Sequence, residues 1–238
     1  MQLAVISDLH LGHGDVADCF GHRDSDFLRF LHFLESNFER IVLLGDIWET
    51  LANRRLGGYE TQAASLRRAR RAHPEIATRF ERSRYSYVHG NHDIVAAQVD
   101  EAPEELVINA DGTRVLFTHG HHHDLLFRRG RLLSEFGVWM GGWVRRFRLS
   151  RLHAFMTHLD NNAGGVSDDH NRCTFQRWAV TAARARQADV VVTGHTHRAT
   201  TAEHGDRVFM NSGSCADGKY TFLSLDTSRG KYLLNSSW

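Results

Sequence analysis

Five short apolar runs in this chain end in residue types that bind metal ions. Residues 3–7 (LAVIS) lead into Asp8 and His10, and residues 41–44 (IVLL) lead into Gly45 and Asp46. Residues 85–89 (YSYVH) lead into Gly90, Asn91 and His92, and residues 114–118 (RVLFT) into His119. Residues 188–193 (ADVVVT) lead into Gly194, His195, Thr196 and His197. A continuous apolar run of this length reads as a strand buried on both faces. A carboxylate beyond such a strand is costly unless it is paired or bound to a metal. Ligand sites of open α/β sheets form at the carboxyl ends of the strands. For Asp46 alone, a helix cap or loop aspartate is an adequate explanation. Recurrence at five strand ends is not explained that way.

The stretches between these runs set the fold class. Residues 27–34 carry apolar side chains at helical spacing, after Asp24 or Ser25 as a cap. Strand, helix and strand in that order predict a parallel, right-handed βαβ unit. Continued strand geometry would point Asp8 and His10 the same way, with Leu9 opposite. Residues 60–84 read as an arginine-rich helical stretch. Asp111-Gly112, between residues 106–109 and 114–118, is a hairpin signal. A further helix is expected from Asp168 or Asp169 to about Gln187. Strands around 208–210 and 220–225 and a short C-terminal one follow. No repeat or linker divides the chain, so residues 1–238 are expected to form a single domain.

Residues 125–159 differ in character. They mix large apolar residues with seven arginines and one acid, Glu135. Helices broken at Gly141-Gly142 are expected there, as an insertion within the domain that acts as a lid or cap, or as a homodimer interface.

Bulk composition excludes several classes. The chain has 238 residues, is 42% hydrophobic and 24% charged, and carries a formal net charge of +1. Near-neutral charge and the lack of a coiled-coil arm argue against a nucleic-acid partner. Cys19, Cys173 and Cys215 are widely separated and form no C-x-x-C pair, which predicts a reducing compartment. The apolar run at the N-terminus stops at Asp8 and has no basic leader, unlike a signal peptide. No run approaches the ~18–20 apolar residues of a spanning helix. Together these features predict a cytoplasmic protein. Histidine is the outlier, with 17 residues clustered in sequence.

The candidate ligands are carboxylates, imidazoles and one amide oxygen, with no thiolate. That set suits Mn²⁺, Fe or Zn²⁺, with Mn²⁺ the expected ion. It is too large for one ion. Two ions about 3.5–4 Å apart, sharing a carboxylate, would use it fully and would suit phosphoester hydrolysis.

The blocks D-x-H (Asp8, His10), G-D-x-x-E (Gly45, Asp46, Glu49), G-N-H-D (Gly90 to Asp93), H-G-H (His119 to His121) and G-H-T-H (Gly194 to His197) occur in that order. In this the chain resembles the calcineurin-like metallophosphoesterases. The resemblance implies a four-layer α/β/β/α sandwich with the helical insertion at about 125–159, and a two-metal site. One ion would take Asp8, His10, Asp46 and His197, and the other Asp46, Asn91, His119 and His195. His92 would contact the phosphate and protonate or stabilise the leaving oxygen, with Asp93 orienting it. Glu49 stands where many relatives have aspartate and is read as structural or substrate-facing. His13 and His121 to His123 are not counted as ligands, and His22, His32, His73 and His153 are read as surface or core residues.

The implied activity is dinuclear metal-dependent hydrolysis of a phosphodiester or phosphomonoester by an activated water. D-L-H-L, G-D-I-W-E and the basic insertion are also similar to the UDP-2,3-diacylglucosamine hydrolases of lipid A synthesis, which cut a pyrophosphate. There residues 125–159 would contact lipid at the inner membrane face, with Leu126, Phe127, Trp139, Trp143 and Phe147 on the acyl chains. Those enzymes carry arginine where this chain has His92. Their tail also has a tryptophan that residues 211–214 lack. A phosphoesterase of unassigned substrate is therefore the expectation. The alternative outside enzymes is a scaffold of the same fold, which should have lost ligands.

Overall fold

The structure is a computed structural model of the chain. It describes residues 1–15, 18–52, 57–123 and 173–238, together with Trp139 and Val144 as isolated positions. Apart from those two positions, the expected insertion at 125–159 lies outside the described residues. So does the helix start expected at Asp168 or Asp169.

In chain order the elements are β1 (Gln2–Ile6), α1 (Asp24–Asn37), β2 (Arg40–Leu44), α2 (Tyr59–Ala72), α3 (Pro74–Phe80), β3 (Tyr85–Val88), α4 (Ala96–Val99), β4 (Glu105–Ala110) and β5 (Thr113–Thr118). A 3₁₀ turn at His121–His123 follows, then α5 (Thr174–Ala185), β6 (Val190–Thr193), β7 (Thr200–His204), β8 (Arg207–Asn211), β9 (Phe222–Asp226) and β10 (Lys231–Asn235).

The strands form two five-stranded sheets, ordered β10-β9-β1-β2-β3 and β4-β5-β6-β8-β7. In the first, β1, β2 and β3 are parallel, and β9 and β10 are antiparallel additions beside β1. In the second, β5, β6 and β8 are parallel, with β4 and β7 antiparallel at the edges. The second sheet comes from one unbroken portion of the chain, whereas the first is built from both ends.

Strand alternation creates the layers. Leu3, Val5, Val42 and Leu44 face Val115, Phe117, Val190 and Val192 of the other sheet. Ala4, Ile6, Ile41 and Leu43 face the opposite way, onto Phe27, Phe30, Leu31 and Leu34 of α1 and Ala63 and Leu66 of α2. Leu116, Val191 and Phe209 turn outward onto Phe175, Ala179, Val180 and Ala183 of α5. Each central strand is covered on both faces, which is why it reads as an unbroken apolar run. The result is the expected α/β/β/α order.

Asp111 and Gly112 have φ of 52° and 80° and pair Ala110 with Thr113 across a two-residue turn. This is the left-handed geometry that hairpin turns of that length need. Three details go beyond the expected elements. The helical pattern of residues 60–84 is divided into two helices, because His73 precedes Pro74 and a residue before proline is disfavoured in the α region. Strand β7, TTAEH, has no apolar alternation to announce it, and pairing with β8 alone defines it. The last sheet strand before the C-terminal one begins at Phe222, not Tyr220.

Candidate metal centre

The parallel strands of the two sheets end on one edge of the sandwich. Asp8 and His10 follow β1, Asp46 follows β2, and Asn91 and His92 follow β3. His119 follows β5, and His195 and His197 follow β6. The five strand ends therefore come from both sheets, not from one βαβ sheet. Asp8, His10 and His197 bring ligand atoms within 4.8 Å of one another. The same holds for Asp46, His119 and His195, and for His10, Asp46 and His92. Asp46 belongs to two of these groups, as a shared carboxylate would.

Backbone geometry aims these side chains. Asp8, His10, Asp46, His195 and His197 have φ of 52°, 49°, 52°, 69° and 55°. Left-handed backbone is uncommon outside glycine, though Asp and His tolerate it better than most residues. Such conformations cost on the order of 1–3 kcal/mol each and cluster at functional sites. Neither Asp8 nor His10 continues the strand. Instead, backbone bonds from Asp8 N to Gly45 O (3.1 Å) and His10 N to Asp46 O (2.9 Å) fix the turn. Leu9 is fully buried within this turn, which replaces the expected continuation of the strand.

The polar atoms facing the centre fit a cation. Asp8 Oδ1, Asn91 Oδ1 and His119 Nε2 are buried without a hydrogen-bond partner. His119 donates from Nδ1 to the Leu44 carbonyl at 2.8 Å, which leaves Nε2 directed at Asp46 Oδ2, 3.1 Å away. Asp8 Oδ1 lies 3.1 Å from His197 Nε2, and His197 Nε2 lies 3.3 Å from His10 Nε2. A divalent ion could take the place of ring protons on several of these atoms at once.

Electrostatics agree. Burial alone would raise the Asp46 carboxyl, but His119 and His92 beside it hold it well below the usual carboxylate range. Burial and the neighbouring His119 pull His195 down to about 3, so its ring is neutral, the form that binds metal. Burial opposes charge on His119 as well, yet the carboxylates of Asp46 and Asp8 raise it to about 9. The centre is thus a place where positive charge is favoured.

His92 is oriented by Glu49 rather than by Asp93. Its Nδ1 lies 2.7 Å from Glu49 Oε2, and its ring meets that of His10 edge-on at 4.5 Å. Burial lowers the affinity of His92 for a proton, but Glu49 and Asp46 outweigh it and hold the ring at about 10. Asp93 is fully engaged elsewhere. Its Oδ1 accepts from Gly90 N (2.6 Å) and Asp46 N (3.2 Å), and its Oδ2 from Ile47 N (2.7 Å), Trp48 N (3.2 Å) and the Tyr87 hydroxyl (2.6 Å). It ties the β2 and β3 loops together and does not hold His92. Sequence reasoning read Glu49 only as structural or substrate-facing and did not pair it with His92, because the two lie 43 residues apart.

Comparison with known proteins identifies the family. The profile of the calcineurin-like phosphoesterase superfamily domain matches residues 1–230. A search of curated proteins returned no match. Among solved structures, the chain is similar to an archaeal phosphodiesterase, at 16% identity over 100% of both chains with a TM-score of 0.48. It is also similar to a predicted phosphoesterase of Streptococcus pneumoniae, at 16% identity over 99% of this chain and 97% of the other with a TM-score of 0.42. Vps29 of Entamoeba histolytica complexed with Zn²⁺ matches at 17% identity over 100% and 98%, with a TM-score of 0.45. On the match of the family profile across residues 1–230, this chain belongs to the calcineurin-like phosphoesterase superfamily.

Proposed function

We propose that this chain is a dinuclear metal-dependent hydrolase of a phosphodiester or phosphomonoester, built as one domain across residues 1–238. The observation that carries the reading is the convergence of ligand atoms within 4.8 Å of one another on Asp8, His10 and His197 and on Asp46, His119 and His195. In this reading Asp8, His10 and His197 hold one ion, Asn91, His119 and His195 hold the other, and Asp46 is common to both. When bound, a pair of divalent ions, Mn²⁺ first among the candidates, supplies an activated water and neutralises charge on the phosphoryl oxygens.

The protein's own residues do the rest. The turns after β1, β2 and β6 hold the donor atoms in place before substrate arrives. His92 gives Nδ1 to Glu49, which leaves Nε2 to carry a proton to the leaving oxygen. Glu49 in turn is fixed by accepting from Leu51 N and Ala52 N, both at 2.8 Å. Every position expected of a ligand is filled by a residue able to ligate, which weighs against the scaffold alternative. The stretch 125–159, on which a lipid-linked substrate depends, lies outside the described residues and lends that narrower reading no support. Among the described residues, no helix is long and apolar enough to cross a membrane.

The test is hydrolysis of a chromogenic phosphodiester and a chromogenic phosphomonoester with Mn²⁺ added. Activity should vanish on chelation, return on adding metal back, and fall by at least about 10²-fold in Asp46→Asn. Full activity in Asp46→Asn or after exhaustive chelation would overturn the reading.

A further inference from the structure

Residues 211–214 (NSGS) take no part in the function argued so far, yet they reach the centre of the site. Ser7 Oγ donates to Asp8 Oδ2. The Ser212 hydroxyl lies 2.7 Å from Ser7 Oγ. With the Ser7 proton given to Asp8, Ser212 is the donor to Ser7, the shorter contact, in preference to the Thr193 carbonyl at 3.1 Å. The two hydroxyls thus form a relay that ends on one oxygen of Asp8. The same oxygen accepts from His195 N at 3.2 Å. All three residues are buried at or beside the metal edge, with Ser7 and Ser212 each 1% exposed and Asp8 0%.

The relay crosses from one sheet to the other. Ser7 and Asp8 follow β1, Ser212 follows β8, and His195 follows β6. One further bond makes the same crossing, and another ties β8 to β6 within the second sheet beside it. Ser214 Oγ donates to Asp8 O at 3.1 Å, and Asn211 Nδ2 donates to Gly194 O at 2.6 Å. The approach is close enough that a Cβ on Gly194 would sit 2.8 Å from both Asp8 Oδ2 and Ser7 Oγ.

The two oxygens of Asp8 therefore have separate duties. Oδ2 is occupied by donors from both sheets. Oδ1 has none, is buried, and faces His197 Nε2. We propose that Ser7 and Ser212 are positioning residues that occupy Asp8 Oδ2, so that Asp8 offers a single oxygen, Oδ1, to a metal ion held jointly by the two sheets. The proposal rests on the metal-centre reading above. Bonds of this kind behind a ligating carboxylate are worth about 10–100-fold in metal affinity.

The experiment titrates the metal-free full chain with Mn²⁺, followed by electron paramagnetic resonance, for the wild type, Ser7→Ala and Ser212→Ala. The urea midpoint of each metal-free protein is measured alongside. The expected result is about 10–100-fold weaker Mn²⁺ binding in each variant. The spectrum of bound Mn²⁺ should also change, because Asp8 is free to turn. A purely structural role would lower the urea midpoint and leave both readouts alone. Ser212→Ala removes only the outer hydroxyl and carries the test even where Ser7→Ala does not fold. Wild-type affinity and spectrum in a folded Ser212→Ala overturn the positioning role and leave the metal reading standing. A wild-type chain that takes up no Mn²⁺ removes both.

Discussion

Glu49 Oε2 lies 2.7 Å from His92 Nδ1, within hydrogen-bond reach, and 3.6 Å from His10 Nδ1, beyond it, so this oxygen orients His92. Its other oxygen is tied to Leu51 N and Ala52 N, and the carboxylate cannot swing away. Burial would raise its pKa, but His92 and His10 hold the group ionised, far below the ordinary glutamate value. If Glu49 acts through His92, their removal should not add. His92→Ala should lower kcat by about 10²–10⁴-fold, the usual worth of a positioned proton donor. Glu49→Ala should cost less, and the double variant should match His92→Ala alone. A double variant whose loss is the product of the two single losses would show that Glu49 works independently of His92.

Gly90 is a second sensitive point, for steric reasons. A Cβ there would lie 2.6 Å from Asp46 N and 2.8 Å from His119 Cδ2, and it would also strike Asp46 Oδ1. Two of these atoms belong to side chains that are 0–2% exposed, so neither can retreat without disturbing the loop. Gly90→Ala should cost about 1–3 kcal/mol of stability, as overpacking in a tight interior does. It should also weaken metal binding, because the strain falls on Asp46 and His119 together. Urea unfolding of the metal-free protein and a Mn²⁺ titration would check both parts. Wild-type behaviour in both would refute the steric argument.

His22 supplies a pH dependence away from the metal edge. Its ring packs among Phe20, Phe27 and Tyr220, with centroids at 4.9, 5.4 and 4.5 Å. Burial pushes its pKa below the ordinary value of 6.5, and the bond to the Cys215 carbonyl only partly offsets this. The ring is therefore neutral in the fold and takes up a proton on unfolding. Its contribution is present above about pH 6.5 and is lost as pH falls from there toward the folded value. His22→Phe keeps the ring cluster and removes the proton. The urea midpoint of the wild type should fall more between pH 7.5 and 5.5 than that of His22→Phe. Equal losses in the two proteins would exclude His22 as a contributor.

The strands that position the site were legible because each is covered on both faces, which forces an unbroken apolar run. Asp8, Asp46, His119 and His195 were legible because they end such runs. Less could be read where the cause is tertiary. The polar edge strand β7 carries no pattern of its own and exists through pairing with β8. The division of the five strand ends between two sheets depends on where β4 turns back, and nothing local to any one strand records it. The aspartate after His92 looks like its partner in sequence, yet Asp93 is consumed by five bonds to the β2 and β3 loops. Glu49 fills that place instead, because the turn after β2 brings it back to His92.

The order of the chain through the sheets bears on how the molecule is made. Strand β9 pairs directly with β1, joining Gln2 to Asp226 and Val5 to Leu223. One flank of β1 therefore stays open until residues 222–226 have left the ribosome, while the second sheet, whose last strand ends at Asn211, can already be complete. N-terminal segments generally fold first during synthesis, and unpaired strand flanks are exposed to wrong partners. The same late segment, residues 211–226, delivers Ser212 and Ser214 to Asp8. Nascent chains that end before residue 212 thus lack both the β9 flank of β1 and the bonds that Ser212 and Ser214 bring to the turn at Ser7 and Asp8.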